Sequence, residues 1–411
     1  MPTDRKQQTP QLAIKQVTEE SSRLPEPDEL AQAHSEQLIS LIYDEITNAG
    51  GRLSFARYME LAMYAPGLGY YSAGSRKFGE LGDFVTAPEI SSLFSQTLAR
   101  QVSEVLTSLD EKGYENRGVL EVGGGSGVMA ADMLAELERS QSLPDHYLIL
   151  ELSADLRQRQ QDMLSARVPH LLSKVQWLNE LPDPGFCGVV VANELLDALP
   201  VNCFSVEEDG IKERFVSWGG DRFQWSSAEP ESVLLKEQFK NVAKDLPVGY
   251  QSEINSASSA WITSIADMFE AGVVLLIDYG FPRHEYYHPE RSTGTLMCHY
   301  RHRAHDNPFV YPGLQDITAH VDFTAIAESA QVSGLDVSGY TSQAYFLLSN
   351  GLTELAESNV SNERDQLLIA QQVRTLTMPN EMGELFKVMA LTKNYEAAMT
   401  GFSMLDARHK L

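Results

Sequence analysis

From Val119 onward, short runs of apolar residues alternate with longer stretches in which apolar positions recur every three or four residues. The first pattern predicts buried strands and the second amphipathic helices. Strands are expected at 119–122, 146–151, 175–178, 188–192 and 273–277. Helices are expected at about 127–139, through Leu156 and Met163, and at about 229–243 and 254–270. Further on, the pattern predicts a helix near 322–331, a strand near Tyr345–Leu348, a helix near 353–374 and a last strand at Leu385–Leu391. Residues 202–226 instead alternate apolar and polar positions around Asp209-Gly210, which reads as a β-hairpin inserted into the core. Strands alternating with helices predict an α/β fold, a doubly wound sheet.

Upstream, Leu30, Leu38, Leu41, Ile42 and Ile46 suit a helix from Glu29 to about Asn48, ended by Gly50-Gly51. A shorter helix is expected after Ser54 and closes at Pro66-Gly67. Residues 67–88 hold five glycines and several aromatics without a period, the mark of a long functional loop. Thr86 and Glu89 have the spacing of a capping box opening a helix at about 87–109. The expected organisation is a disordered leader at 1–27, a helical and loop extension at 28–110, and a core at 111–400. Insertions fall at about 202–270 and 280–323, and 280–315 reads as irregular.

Composition narrows the partners. The 411 residues carry 32 basic and 57 acidic side chains, a net charge of −25, which repels phosphate backbones and disfavours nucleic acid as a substrate. Cys187, Cys203 and Cys298 show neither C-x-x-C pairing nor zinc spacing, so a reduced compartment is expected and no metal ligands are assigned. No apolar run approaches the ~20 residues of a membrane span. The first 30 residues are polar and include acids, unlike a signal or transit peptide, so a cytoplasmic location is expected.

The candidate chemistry begins at Val119-Leu-Glu-Val-Gly-Gly-Gly-Ser-Gly127, where a strand runs into a glycine loop and then a helix. Glycine permits φ > 0 and leaves no Cβ between the loop and a ligand, and the loop N–H groups face that ligand. The dinucleotide fingerprint needs a small residue where Val128 stands, which would crowd the helix–strand contact. The pattern present, with Glu121, Gly123, Gly125 and Gly127, resembles the first motif of class I S-adenosyl-L-methionine methyltransferases, whose loop holds the amino-acid part of the cofactor. Gly124 stands where many relatives carry Pro.

Other strand ends add polar groups where open α/β sheets bind ligands. Glu151, closing the second strand, can accept both hydroxyls of a ribose, or serve as a helix N-terminal charge. Asn193, Glu194 and Asp197 follow the fourth strand; Asn193 can equally cap the next turn. Asp278 follows the fifth and suits a turn as well as a site.

Several long stretches together carry a family resemblance. Ser54–Glu60, Gly69-Tyr-Tyr71, Gly82–Ser91, the glycine loop, Ala192–Pro200, Ile277–Gly280, Gly294–Leu296 and Asp316–Phe323 resemble MidA-like S-adenosyl-L-methionine-dependent methyltransferases, from about residue 37 to about 394. That family includes the mitochondrial protein-arginine methyltransferase of complex I assembly. The resemblance implies a class I methyltransferase, Rossmann-like sheet with an N-terminal helical extension and a substrate-side cover. It also implies a protein arginine as acceptor. Glu121, Gly123, Gly124, Gly125, Gly127, Glu151 and Asn193 are expected to hold the cofactor. Glu194, Asn193, Asp83 and His320 are expected on the acceptor, with Glu89 and Asp322 as further acids. Carboxylates would orient the guanidinium and take up its proton. His299, His302 and His305 have i, i+3, i+6 spacing, which needs a helix to bind metal, whereas Pro308 and adjacent turns predict a loop. A small-molecule methyltransferase and a non-catalytic cofactor-binding assembly factor are the alternatives.

Overall fold

A computed structural model describes residues 24–72 and 86–411. Residues 1–23 of the expected leader and the middle of the 67–88 loop, with Asp83, therefore lie outside the described residues. Asp28 caps α1 (Glu29–Asn48) through the Ala31 N–H, and Leu38, Ile42 and Ile46 form its buried stripe. After β1 (Arg52–Ser54), the Ser54 hydroxyl caps α2 (Phe55–Tyr64). The helix expected at 87–109 is two. A single turn, α3 (Ala87–Ile90), stops at Ser91, which is extended at φ −158° and ψ 133° and starts α4 (Ser92–Glu111) by accepting from the Leu93 N–H.

The core follows as β2 (Gly118–Val122), α5 (Val128–Arg139), β3 (His146–Leu150), α6 (Ala154–Arg167), β4 (Val175–Leu178) and β5 (Phe186–Asn193). The inserted segment gives β6 (Asn202–Glu207), β7 (Gly210–Trp218), β8 (Phe223–Ala228), α7 (Val233–Ala243), β9 (Gln251–Ile254) and α8 (Ser256–Met268). Next come β10 (Phe269–Phe281), α9 (Arg283–Tyr286), β11 (Met297–Tyr300), β12 (Arg303–His305), β13 (Asp316–Thr318), β14 (Val321–Asp322) and α10 (Phe323–Val332). The chain closes through β15 (Asp336–Ser342), α11 (Gln343–Ser349), α12 (Leu352–Ser358), α13 (Glu363–Thr377) and β16 (Phe386–Lys393).

The main sheet runs β15-β16-β10-β5-β2-β3-β4. Pairing is parallel from β10 to β4, and β16 is antiparallel to both its neighbours. Side chains alternate faces with the period of two that a strand imposes. On β5, Val189 and Val191 join the layer of α4, α5 and α11–α13, whereas Val190 and Ala192 join that of α8 and α10. A second sheet, β1-β7-β6-β9 with β8 on β7, packs Val216, Phe223 and Cys203 against α1 and α2. The hairpin of 202–226 is thus part of a separate cap.

Three further segments differ from expectation. The run Tyr345–Leu348 lies in α11, and the strand precedes it as β15; a four-residue apolar run fits either element. The helix near 353–374 breaks into α12 and α13, the second capped by Asn362. The stretch read as irregular contains a small three-stranded antiparallel sheet, β12-β11-β13, with Arg301 and His302 at positive φ in its β11–β12 turn.

Candidate functional site

The parallel strands β2, β3, β4 and β5 all end at one cavity of about 1050 Å³, covered by Tyr64 and Tyr71 from the extension and by Met297, His299 and Asp316 from the small three-stranded sheet. Ligand sites usually occupy ~300–1,000 Å³. Among the described lining residues the carboxylates are Glu89, Glu121, Glu151, Glu180, Glu194, Asp197 and Asp316, and none is lysine or arginine.

The glycine loop forms one wall. Gly123 and Gly127 adopt φ 74° and 85°, and a Cβ on Gly127 would stand 2.9 Å from Gln160 Cα, so α6 can approach only a glycine there. Gln160, fully buried, donates to the Gly125 carbonyl at 3.1 Å and to Glu151 Oε2 at 3.1 Å. It thereby clamps the loop to the acid that ends β3. Glu151 Oε1 accepts from the Ser153 N–H at 2.9 Å, and burial raises its pKa. Glu121 is fully buried. Its Oε2 accepts from Tyr147, whereas Oε1 has no hydrogen-bond partner, and burial pushes it up to about 7 despite the tyrosine.

The end of β5 forms the opposite wall. Glu194 is held at φ 51°, a left-handed conformation costly for a side-chain-bearing residue, with its N–H on the Ile277 carbonyl at 2.9 Å. Burial and the nearby charges of Asp197 and Asp316 push its carboxyl up to about 8, opposed by the Asn193 amide and the Ala87 N–H. Asn193 Nδ2 donates to Glu194 Oε1 at 3.3 Å, and its buried Oδ1 lacks a partner. Asp197 accepts from the Tyr279 hydroxyl and is pushed up to about 6 by burial. Asp278 sits behind this wall. It accepts from the N–H groups of Leu196, Asp197 and Tyr279, so it shapes the turn that presents Glu194 and Asp197.

The remaining candidates separate. His320 lines the cavity with its ring beside Tyr279 and Phe281, and Nδ1 is buried without a partner. Burial, then Arg291 and Lys387, lower its pKa to about 3, so the ring is neutral across the physiological range. Asp322 is not brought to the cavity. It caps α10 through Thr324 and Ala325 and pairs with Arg283 at 3.1 Å. The capping box does not form either: Thr86 makes no cap bond, and Glu89 reaches across to accept from the Ser126 hydroxyl of the glycine loop. His299, His302 and His305 occupy a hairpin, and among the described residues no His/Cys/Asp/Glu group is arranged to hold a metal.

Sequence reasoning missed Gln160, Asp316, Asn179 and Glu180. The last two follow β4 and were open to the same strand-end rule that singled out Glu151. Asp316, 3% exposed and bonded by the Tyr71 hydroxyl at 3.3 Å, comes from a strand of three residues with no periodic signal.

Comparison with known proteins gives this geometry a lineage. Residues 97–341 match the family described as S-adenosyl-L-methionine-dependent methyltransferases. The Caenorhabditis elegans protein arginine methyltransferase NDUFAF7 homolog, mitochondrial, is 25% identical over 405 residues, 92% of each chain. The Homo sapiens protein arginine methyltransferase NDUFAF7, mitochondrial, is 26% identical over 381 residues, 83% of this chain and 80% of that one. Both names overturn the cytoplasmic location expected from the leader, since both relatives are mitochondrial proteins. A crystal structure from Burkholderia thailandensis bound to S-adenosyl-homocysteine is 45% identical, with TM-score 0.90 over 95% of this chain and 100% of that one. The chain belongs to this family: it is an S-adenosyl-L-methionine-dependent methyltransferase with a class I sheet and a MidA-like extension.

Proposed function

We propose that this enzyme methylates an arginine side chain of a protein. The observation that carries the reading is the charge of the cavity, seven carboxylates without a lysine or arginine among its described lining residues. Such a wall favours a cationic acceptor, and the guanidinium is cationic at every accessible pH. The relatives named as protein arginine methyltransferases support the same acceptor. Nucleic acid is disfavoured by the same charges, since phosphate would enter an anionic cavity.

The residues present fit the cofactor. The partnerless oxygens of Glu121 and Asn193 are buried acceptors facing the cavity, costly unless a ligand supplies donors. An ammonium and ribose hydroxyls are such donors. Glu121 and Gly123 to Gly127 would hold the amino-acid end and Glu151 the ribose. S-adenosyl-L-methionine, when bound, supplies a sulfonium methyl group. The chain's own part is to place the acceptor nitrogen in line with it and to exclude water. Glu194 and Asp197 orient the guanidinium by charge-assisted hydrogen bonds. Methylation leaves one proton too many on the acceptor nitrogen, and an ionised Glu194 or Asp197 takes it. Tyr64 and Tyr71, stacked with centroids 5.6 Å apart, offer an aromatic wall to the flat cation.

The test is to add the purified protein with tritiated S-adenosyl-L-methionine to a lysate of cells lacking it. Labelled protein should yield methylarginine on acid hydrolysis. Label confined to small molecules, or in protein but on another amino acid, would refute the arginine reading.

A further inference from the structure

Glu89 belongs to the extension, outside the methyltransferase core, yet its carboxylate rests against the glycine loop by accepting the Ser126 hydroxyl. It lines the same cavity as Gly123, Gly124 and Gly125. Among the described residues no lysine, arginine or histidine pairs with it, although Arg100 and Arg139 on neighbouring helices pair with Glu136. Its backbone is held firmly. Pro88 fixes the first turn of α3, Ala87 is fully buried, and the Ser91 hydroxyl that follows bonds Gln372 at 2.8 Å. A carboxylate offers about four acceptor sites, and the serine hydroxyl satisfies one. An anion facing a cavity with no cation on its walls is stabilised by a cation that the ligand brings.

We propose that Glu89 is a cofactor-binding residue whose carboxylate receives the α-ammonium of the cofactor's amino-acid end, so that the extension completes the cofactor site. Of the groups at that end, only the ammonium is both cationic and a donor of three hydrogen bonds. The same carboxylate repels a pyrophosphate laid on the loop, which adds a charge-based reason for excluding dinucleotides to the steric one at Val128. The inference rests on the cofactor of this family and not on arginine as the acceptor, so the two can fail separately.

Calorimetry on the full chain tests it with two ligands. S-adenosyl-homocysteine has the amino-acid end, and 5′-methylthioadenosine lacks it. Glu89→Gln keeps an acceptor for Ser126 and removes the charge. It should weaken S-adenosyl-homocysteine about 10–100-fold, as loss of a charge-assisted bond does, and leave methylthioadenosine within about twofold. Ser126→Ala, which keeps the carboxylate, should retain S-adenosyl-homocysteine within about threefold. Equal loss for both ligands would make Glu89 a prop for the loop. Unchanged or tighter S-adenosyl-homocysteine binding in Glu89→Gln would place the ligand's carboxylate there instead. Loss in Ser126→Ala as large as in Glu89→Gln would mean that Glu89 acts only through the serine. Each of these outcomes overturns the proposal.

Discussion

Glu194 combines a left-handed backbone with a carboxyl whose charge is made costly by burial and by two acidic neighbours. A proton acceptor works only when ionised. With Asp197 at about 6 and Glu194 at about 8, kcat/KM should therefore climb from near pH 6 and level above about pH 8. Glu194→Gln should lower kcat/KM by about 10²–10⁴-fold and remove the upper part of that rise, with S-adenosyl-homocysteine binding retained within a few-fold. An unchanged pH profile in this variant would assign the proton to another group. His320, protonated only near pH 3, contributes no limb at the pH where exposed histidines titrate. Glu121 makes a stability prediction. Its folded pKa of about 7 exceeds the ordinary carboxylate value, so between those values the native state binds more protons and stability falls as pH rises. Without ligand, Glu121→Gln should be more stable than the parent by about 1–3 kcal/mol at pH 8 and nearly equal to it at pH 4.5, measured by thermal unfolding.

Among the elements, those with strong periodicity were legible: α1, α2, α5 and the strands β2 to β5 and β10 fall within a few residues of expectation. What local pattern could not decide was settled by tertiary contact. The Ala344–Leu348 run coils because Ala344, Phe346 and Leu347 find a buried face as a helix, while the more polar Asp336–Ser342 forms a strand beside β16. For the site, strand ends located Glu121, Glu151, Asn193 and Glu194 at the cavity, since a strand that ends polar after an apolar run announces itself. Glu89 was legible both as a capping-box partner, a role the structure leaves unused, and as an acid toward the acceptor, whereas Asp316 was hidden by its irregular surroundings. The loop–helix junction at Gly127 also invites a direct test. In Gly127→Ala the added Cβ would meet the Gln160 backbone at 2.9 Å from a left-handed residue. S-adenosyl-homocysteine affinity should fall at least about tenfold, together with about 1–3 kcal/mol of stability. Binding at the parent's affinity would show that the loop and α6 can separate without harm.

At the scale of the molecule, the net charge of −25 and the acidic cavity have the same sign. The field they make should steer cationic substrates, so raising salt from about 20 to 300 mM should lower kcat/KM for an arginine peptide by about threefold or more. The saturated rate should move far less; equal falls in both would locate the salt effect in the chemical step. The layout of the sheet has a further consequence, which concerns biosynthesis. The penultimate position from one edge is taken by β16, whose residues 386–393 are translated after every other strand of that sheet. Until they leave the ribosome, β10 exposes one side of Val273–Ile277 as an unpaired edge and β15 has no partner in the sheet. From the completion of β10 until β16 emerges, a nascent chain therefore carries an apolar open edge, the kind that recruits chaperones or other chains. A stop codon before residue 386 would leave that edge bare permanently. Truncation before residue 386 should thus send the chain into the insoluble fraction, although every described residue that lines the cavity except Phe386 has already been made.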